Sequence, residues 1–144
     1  MIPVIFINDS GEPYVKLIMS GKKTYETRSR NTLKSLLEWA LGQRVLIAET
    51  GHGDPIIRCS AVIDHFGNVC TAKRWNQLRK VHRVPVGDRY DWKPDTKVKW
   101  MYHLSDVQPV EPFRLPKESR RHGRIWAEYE EQGGTDLLLK RRVL

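Results

Sequence analysis

Lys23, Glu26 and Arg28 follow closely on Gly21 in the stretch Gly21-Lys22-Lys23-Thr24-Tyr25-Glu26-Thr27-Arg28. An ammonium, a carboxylate and a guanidinium so close in sequence can serve two kinds of chemistry. Lys23 and Arg28 can hold a phosphate or a base edge, Arg as a planar fork and Lys as a mobile point charge. Glu26 can accept a proton, or a hydrogen bond from the exocyclic amine of a nucleobase. The plainer alternative is a salt bridge between Glu26 and Arg28 on one strand face. Thr24 to Arg28 has the β-branched and aromatic content of a strand. Alternation puts Thr24, Glu26 and Arg28 on one face, with Tyr25 and Thr27 on the other. Lys23 joins the set only if the chain is still turning at Gly21-Lys22.

The elements that must position these residues are legible on either side. Pro3 to Asn8 reads as a first strand, with Val4-Ile5-Phe6-Ile7 as its buried run. Ser10 offers a hydroxyl to cap a short helix in which Tyr14, Leu17 and Ile18 share a face, and Ser20-Gly21 stops it. Leu33, Leu36, Leu37, Ala40 and Leu41 form a helical stripe, with Ser29, Asn31 or Thr32 as caps, Gly42 as its end and Trp39 off the stripe. Val45 to Ala48 reads as a buried strand. A second strand, with Ile57, Cys59, Ala61 and Ile63 inward, ends near Asp64-His65, and the two pair as a long-tipped hairpin. Thr71 caps a third helix running to about Arg83, with Ala72, Trp75, Leu78 and His82 inward. Val98, Trp100, Tyr102 and Leu104 alternate as a strand. Ser105 to Pro116, with three prolines, is an extended crossing segment or edge strand. Gly123 to Tyr129 is a last strand.

At 144 residues the chain is read as one domain, with a core over about 11–130 and a tail at 131–144 that holds one short helical turn. The net charge of +8 and pI near 9.7 point to a polyanion, nucleic acid being the common one, against the plainer alternative of a well-solvated basic protein with no such partner. No apolar run approaches the ~18 residues of a membrane helix, and the first residues lack a secretory leader. The expectation is therefore a cytoplasmic protein with no membrane partner. Cys59 and Cys70 are expected to be thiols, Cys59 in a strand interior.

Nine Lys or Arg against three Asp lie between Lys73 and Lys99, interleaved with aromatics. Bases stacking on aromatic rings contribute ~1–3 kcal/mol each. The periodicity places Trp75 and Trp100 in the core, which leaves Tyr90 and Trp92, in an irregular loop, as stacking residues. Arg120, Arg121 and Arg124 form a second basic patch that can border the same groove.

These pieces resemble the ASCH domain family, relatives of the PUA RNA-binding module. The resemblance rests on Glu12-Pro13-Tyr14, the spacing G-x-K-x-x-E-x-R from Gly21, the segment from Tyr102 to Pro112, and Gly123-Arg124-Ile125-Trp126. It implies an α+β fold built on a small, partly open β-barrel of about six strands flanked by two to three helices. Members of the family share no one activity: some are inferred to bind RNA, some hydrolyse N4-acetylcytidine, some cut RNA. The resemblance implies a cleft where Tyr14 forms a wall and Lys23, Glu26 and Arg28 meet an RNA or nucleotide. In the amidohydrolases a Thr nucleophile, assisted by the motif Lys, stands where this chain has Glu26. Thr24, two residues earlier, is an imperfect substitute, so a catalytic set would comprise Lys23, Glu26 and Thr24. A ribonuclease would draw on Lys23, Glu26, His52, His65, His103 and Tyr102. The histidines lack a metal-binding spacing, so neither zinc nor any other cofactor is expected.

Overall fold

The structure is a computed structural model that describes residues 1–130; the tail expected at 131–144, with its helical turn, lies outside the described residues. The run from Val4 to Ile7 forms β1 (Ile2–Asn8), and all four of these side chains are buried. The reason is that the strand has a core on each side. Ile5 and Ile7 pack into one apolar cluster with the helices, Val4 and Phe6 into a second cluster on the opposite face. β3 (Arg44–Thr50) behaves in the same way, Val45 and Ile47 facing one cluster, Leu46 and Ala48 the other. Strands covered on both faces lose the polar alternation and read as continuous apolar runs. β1 and β3 pair in parallel, Val4 opposite Leu46 and Phe6 opposite Ala48.

Between them the chain makes α1 (Tyr14–Met19), β2 (Tyr25–Arg28) and α2 (Lys34–Ala40). Asp9, rather than Ser10, caps α1, its Oδ1 accepting the Val15 N–H at 3.0 Å. Ser10 instead donates to Asn8 Oδ1 at 2.8 Å. A carboxylate is the stronger acceptor at a helix N-terminus, where the dipole favours negative charge. None of Ser29, Asn31 or Thr32 caps α2, whose first residue follows Leu33 with no side-chain cap. The α2 stripe is buried as expected except at Leu41, which is 44% exposed. The helix ends at Ala40 and Leu41 turns extended (ψ 127°), so its side chain leaves the helical face.

β4 (Ile56–Val69) runs well past the expected end at Asp64-His65 and pairs along its length with β5 (Lys99–Arg114). The expected strand at Val98 to Leu104 and the proline-containing segment after it are one long strand. Pro109 and Pro112 are tolerated because β2 covers β5 only from Trp100 to His103, and the register beyond is irregular. α3 (Ala72–Gln77) and α4 (Arg79–His82) break the expected third helix at Leu78. Thr71 caps α3 by accepting the Arg74 N–H at 3.1 Å, and Trp75 and His82 are buried, but Ala72 in the first turn is exposed. Gly123 does not start the last strand. With φ of +63° it turns the hairpin between β6 (Arg121–His122) and β7 (Trp126–Tyr129).

The seven strands form one sheet in the order β2-β5-β4-β3-β1-β7-β6, open because β2 and β6 are its edges. This is an α+β arrangement with four short helices among the described residues. No helix there is long and apolar enough to cross a membrane. Cys59 lies in the core, where burial pushes its thiol up to about 12, and Cys70 is exposed.

Candidate functional site

A cleft of about 620 Å³ opens where five separate stretches meet: the end of β1, the start of α1, β2, the loop after β3, and the β6–β7 hairpin. That volume falls in the range of ~300–1,000 Å³ typical of small-molecule sites. Val84 and Tyr90, from the loop after α4, complete the wall.

Lys23 reaches the cleft through the turn that the motif requires. Gly21 has φ of +79°, and the N–H groups of Lys22 and Lys23 both donate to Leu17 O at 3.0 Å. The chain therefore keeps turning before β2 begins, and Lys23 swings onto the face of Glu26 and Arg28. Its side chain is 1% exposed, and Nζ donates to His82 O at 2.6 Å and lies 3.8 Å from Glu26 Oε1. Burial lowers the ammonium from 10.5 to about 8, with repulsion from Arg28 adding to it; attraction and hydrogen bonding from Glu26 offset only part.

Glu26 sits between the two cations. Its Oε1 accepts the Thr27 N–H at 2.8 Å and its Oε2 accepts from Arg28 Nη1 at 3.1 Å. Arg28 Nη2 also donates to Phe6 O at 2.8 Å, which ties β2 to the end of β1 across the cleft floor. The simple ion pair is thus present, yet it is part of a triplet, Lys23 and Glu26 buried and Arg28 half-buried, that lines a cavity.

Tyr14 forms the adjoining wall. Lys23 Nζ lies 5.0 Å from its ring centroid, and its hydroxyl donates to Asp88 at 3.2 Å. Burial is the first cause that raises the Tyr14 hydroxyl well above its ordinary value, followed by Asp88. Tyr90 stands 6.3 Å from Tyr14, tilted by 60°, with Arg89 on its ring at 4.8 Å. Beneath it, Asp91 organises the loop, accepting from Trp75 Nε1 at 2.7 Å, Gly87 N at 2.9 Å and Arg79 at 3.2 Å. Burial pushes the Asp91 carboxyl up, but these hydrogen bonds and one from the Trp92 N–H outweigh it and hold it at about 2. Lys99, also buried, donates to Tyr90 O at 3.0 Å. His82, whose carbonyl holds Lys23, is itself locked. It stacks on Trp75 at 3.8 Å, its Nδ1 accepts the Val84 N–H at 2.9 Å, and its Nε2 is 3.0 Å from Trp75 O. That geometry makes Nε2 the protonated nitrogen.

Of the residues picked out in the sequence, Tyr14, Lys23, Glu26, Arg28, Tyr90, Arg121 and Arg124 line this cleft. Three others do not. Trp92 packs toward Trp75 at 6.4 Å, against the core. Arg120 lies outside the lining and is 3.6 Å from Glu128, with its side chain 76% exposed. The Thr24 backbone joins α4 and β5, its N–H donating to Val81 O and its carbonyl accepting from Leu104 N; Thr24 does not line the cleft either. Among the ribonuclease candidates only Lys23 and Glu26 do. Tyr102 is core, its hydroxyl donating to Asn31 Oδ1 at 2.7 Å.

The sequence reading missed Asn8, Thr27, Thr32, Thr50 and the glycines of the 50–55 loop, all of which line the cleft. Thr32 Oγ1 is buried without a hydrogen-bond partner among the described residues. Gly51 has φ of +99°, and a Cβ there would meet Asn8 Oδ1 and Ser10 Cβ at 2.8 Å, so only glycine lets this loop close on β1. The signal for it was the run of turn residues after β3. Away from the cleft, two groups of histidine and carboxylate converge despite their unpromising spacing: Asp64, His65 and His103, and Asp9, Glu49 and His52.

No family model and no curated protein matches the sequence. Solved structures do match the fold. A crystal structure of the ASCH protein from Zymomonas mobilis aligns at a TM-score of 0.62 with 25% identity, covering 78% of this chain and 73% of that one. A tyrosine-to-phenylalanine mutant of that protein aligns with the same score and identity, covering 75% of its chain. A serine-to-alanine mutant reaches 0.68 at 21% identity, covering 90% of this chain and 88% of that one.

Proposed function

This chain has the ASCH-domain fold, and from that premise we propose that its cleft binds a nucleotide or a short single-stranded stretch of RNA. The observation that carries the reading is the charge balance of the lining among the described residues: Lys23, Arg28, Arg121 and Arg124 against Glu26 as the one carboxylate. Of these cations Lys23 is buried, which is costly unless something offsets it, and within the protein Glu26 offsets only part. An anionic ligand supplies the rest. Arg121 and Arg124, at the rim, would meet phosphates, while Lys23 and Arg28 on the floor would meet a phosphate or base edge. Glu26 would accept from a base amine or hold the two cations in place. The Thr32 hydroxyl, unpartnered among the described residues, gives a ligand one further hydrogen bond to make.

The test is binding of single-stranded RNA oligonucleotides and of mononucleotides by the full chain, titrated over a range of salt. Log K is expected to fall against log salt with a slope of about −0.7 per neutralised phosphate. Lys23→Ala and Arg28→Ala are each expected to weaken binding at least tenfold, a loss of ~1.4 kcal/mol or more. Absence of any affinity at low salt, or normal binding by both variants, would refute the proposal.

A further inference from the structure

We propose that Asp64, His65 and His103 form a site for a divalent first-row transition metal, with zinc as its simplest occupant. The site is built by an irregularity in the sheet. Between β4 and β5 the register steps from Ile63–Leu104 to Phe66–Tyr102, so two residues on β4 are matched by one on β5. Asp64 and His65 therefore both stand opposite His103. A bulge of this kind re-aims side chains that regular alternation would send to opposite faces.

The side chains converge accordingly. Asp64 Oδ1 lies 2.7 Å from His103 Nδ1 and 3.0 Å from His65 Nδ1. The two imidazoles are stacked, 4.6 Å between centroids and 18° from parallel, so the two Nδ1 atoms meet the carboxylate from the same side. All three ligand atoms fall within 4.8 Å of one another. Zinc bonds of ~2.0–2.1 Å in a tetrahedron separate the ligand atoms by about 3.3 Å, so Asp64 and His103 need to part by about 0.6 Å and Asp64 and His65 by about 0.3 Å. Asp64, shared by both pairs, and His65 have side chains 41% and 58% exposed, which leaves room for that movement.

Two imidazoles and one carboxylate suit zinc and its first-row neighbours, and exclude calcium or magnesium as natural occupants. The remaining coordination position faces solvent and would hold water. Tyr25 provides the outer support that metal-binding histidines use: its hydroxyl is 3.1 Å from His65 Nε2. With Nδ1 on the metal, Nε2 keeps its proton and donates it to that hydroxyl, which fixes the tautomer and the ring. Tyr25 also packs against His103 at 4.9 Å, closing one side of the site. By strand alternation this is the face of β2 turned away from Glu26 and Arg28, and none of the three ligands lines the cleft.

The experiment strips the full chain with a chelator, then measures Zn²⁺ uptake by competition with a chromogenic chelator. The wild type is compared with His65→Ala, His103→Ala and the double variant. The wild type is expected to hold Zn²⁺ at micromolar affinity or tighter. The double variant is expected to bind one equivalent fewer, and each single variant to bind that equivalent at least ~10-fold more weakly. Counting the difference from wild type separates this site from any uptake by Asp9, Glu49 and His52. Should His103→Ala disturb the fold by circular dichroism, the exposed His65→Ala carries the test alone. No uptake by the wild type, or equal uptake by wild type and His65→Ala, overturns the proposal.

Discussion

Replacing Lys23 by methionine is expected to make the fold more stable at neutral pH while removing ligand affinity. Lys23 is 1% exposed, and burial lowers its ammonium from 10.5 to about 8. Holding it charged at pH 7 therefore destabilises the fold by ~3 kcal/mol relative to an ordinary lysine. Methionine fills most of the same volume with an unbranched apolar chain. It loses the hydrogen bond to His82 O, a loss of ~1–2 kcal/mol. Glu26 keeps its contacts with Arg28 and the Thr27 N–H. The net gain is about 1–2 kcal/mol at pH 7, a rise of roughly 2–8 °C in melting temperature for a chain of this size.

The pH dependence makes the argument sharp. The unfolded chain holds the Lys23 proton up to about 10.5, whereas the folded chain releases it near 8. Between those values the unfolded state binds more protons, so wild-type stability rises with pH. The methionine variant has no such group. Its advantage is full below pH 8, shrinks above it and reverses toward pH 10.5, where only the lost hydrogen bond remains. Denaturant unfolding of both proteins at pH 7, 8, 9 and 10 measures the difference, in which the other titrating groups cancel. A variant less stable than wild type at pH 7, or a gap that does not change with pH, would refute the reasoning.

The remaining predictions concern the cleft rim and the histidine behind it. Arg121→Ala and Arg124→Ala are each expected to reduce the salt slope of RNA binding by ~0.7, while Arg120→Ala, outside the lining and near Glu128, leaves it unchanged; equal effects from all three would remove the rim from the site. His82 is fully buried, and burial holds its imidazole at about 4 against an ordinary 6.5. The stability that comes from keeping it neutral is complete above pH 6.5 and is lost as pH falls through 6.5 to 4, reaching ~3 kcal/mol. A His82→Phe variant, compared with wild type by unfolding across that window, is expected to show a flatter profile; an unchanged profile counts against it.

What could be read from the sequence was what depends on local pattern. The buried runs of β1 and β3, the α2 stripe as far as Ala40 and the alternation of Cys59, Ala61 and Ile63 on β4 are short-range signals of burial that became the expected elements, whereas Ile57, across a register shift, packs into the opposite cluster. The charged set was legible because its three members lie on one strand and its hinge, where alternation and a left-handed glycine decide direction. What failed depended on where a pattern stops. Leu41 fits the stripe by spacing, but the helix ends one residue before it. Arg120 and Arg121 are neighbours in sequence, but β6 begins only at Arg121, and of the two only Arg121 lines the cleft. Trp92 sits among charges as a stacking residue would, but the buried Trp75 offers it a larger apolar surface. Thr32, Thr50 and Asn8 carried no signal because the cleft is assembled from segments far apart in the chain.

The two sites on this sheet show how differently chemistry is encoded in one chain. At the cleft, the charged set lies on one strand and the hinge before it, so local geometry brings Lys23, Glu26 and Arg28 together and a spacing pattern records the fact. At Asp64, His65 and His103 a regular sheet would have pointed adjacent side chains to opposite faces. One extra residue on β4 cancels that alternation and places three ligand atoms within 4.8 Å. Spacing in sequence therefore argued against a metal where spacing in space argues for one. Removing the extra residue restores the distinction. Deleting Asp64 makes the β4 register regular and leaves His65 alone opposite His103, with no carboxylate between them. That variant is expected to keep the β4–β5 pairing, which extends well beyond the bulge on both sides, and to lose the zinc equivalent. Retention of that equivalent with the pairing intact would show that the bulge is incidental to the site.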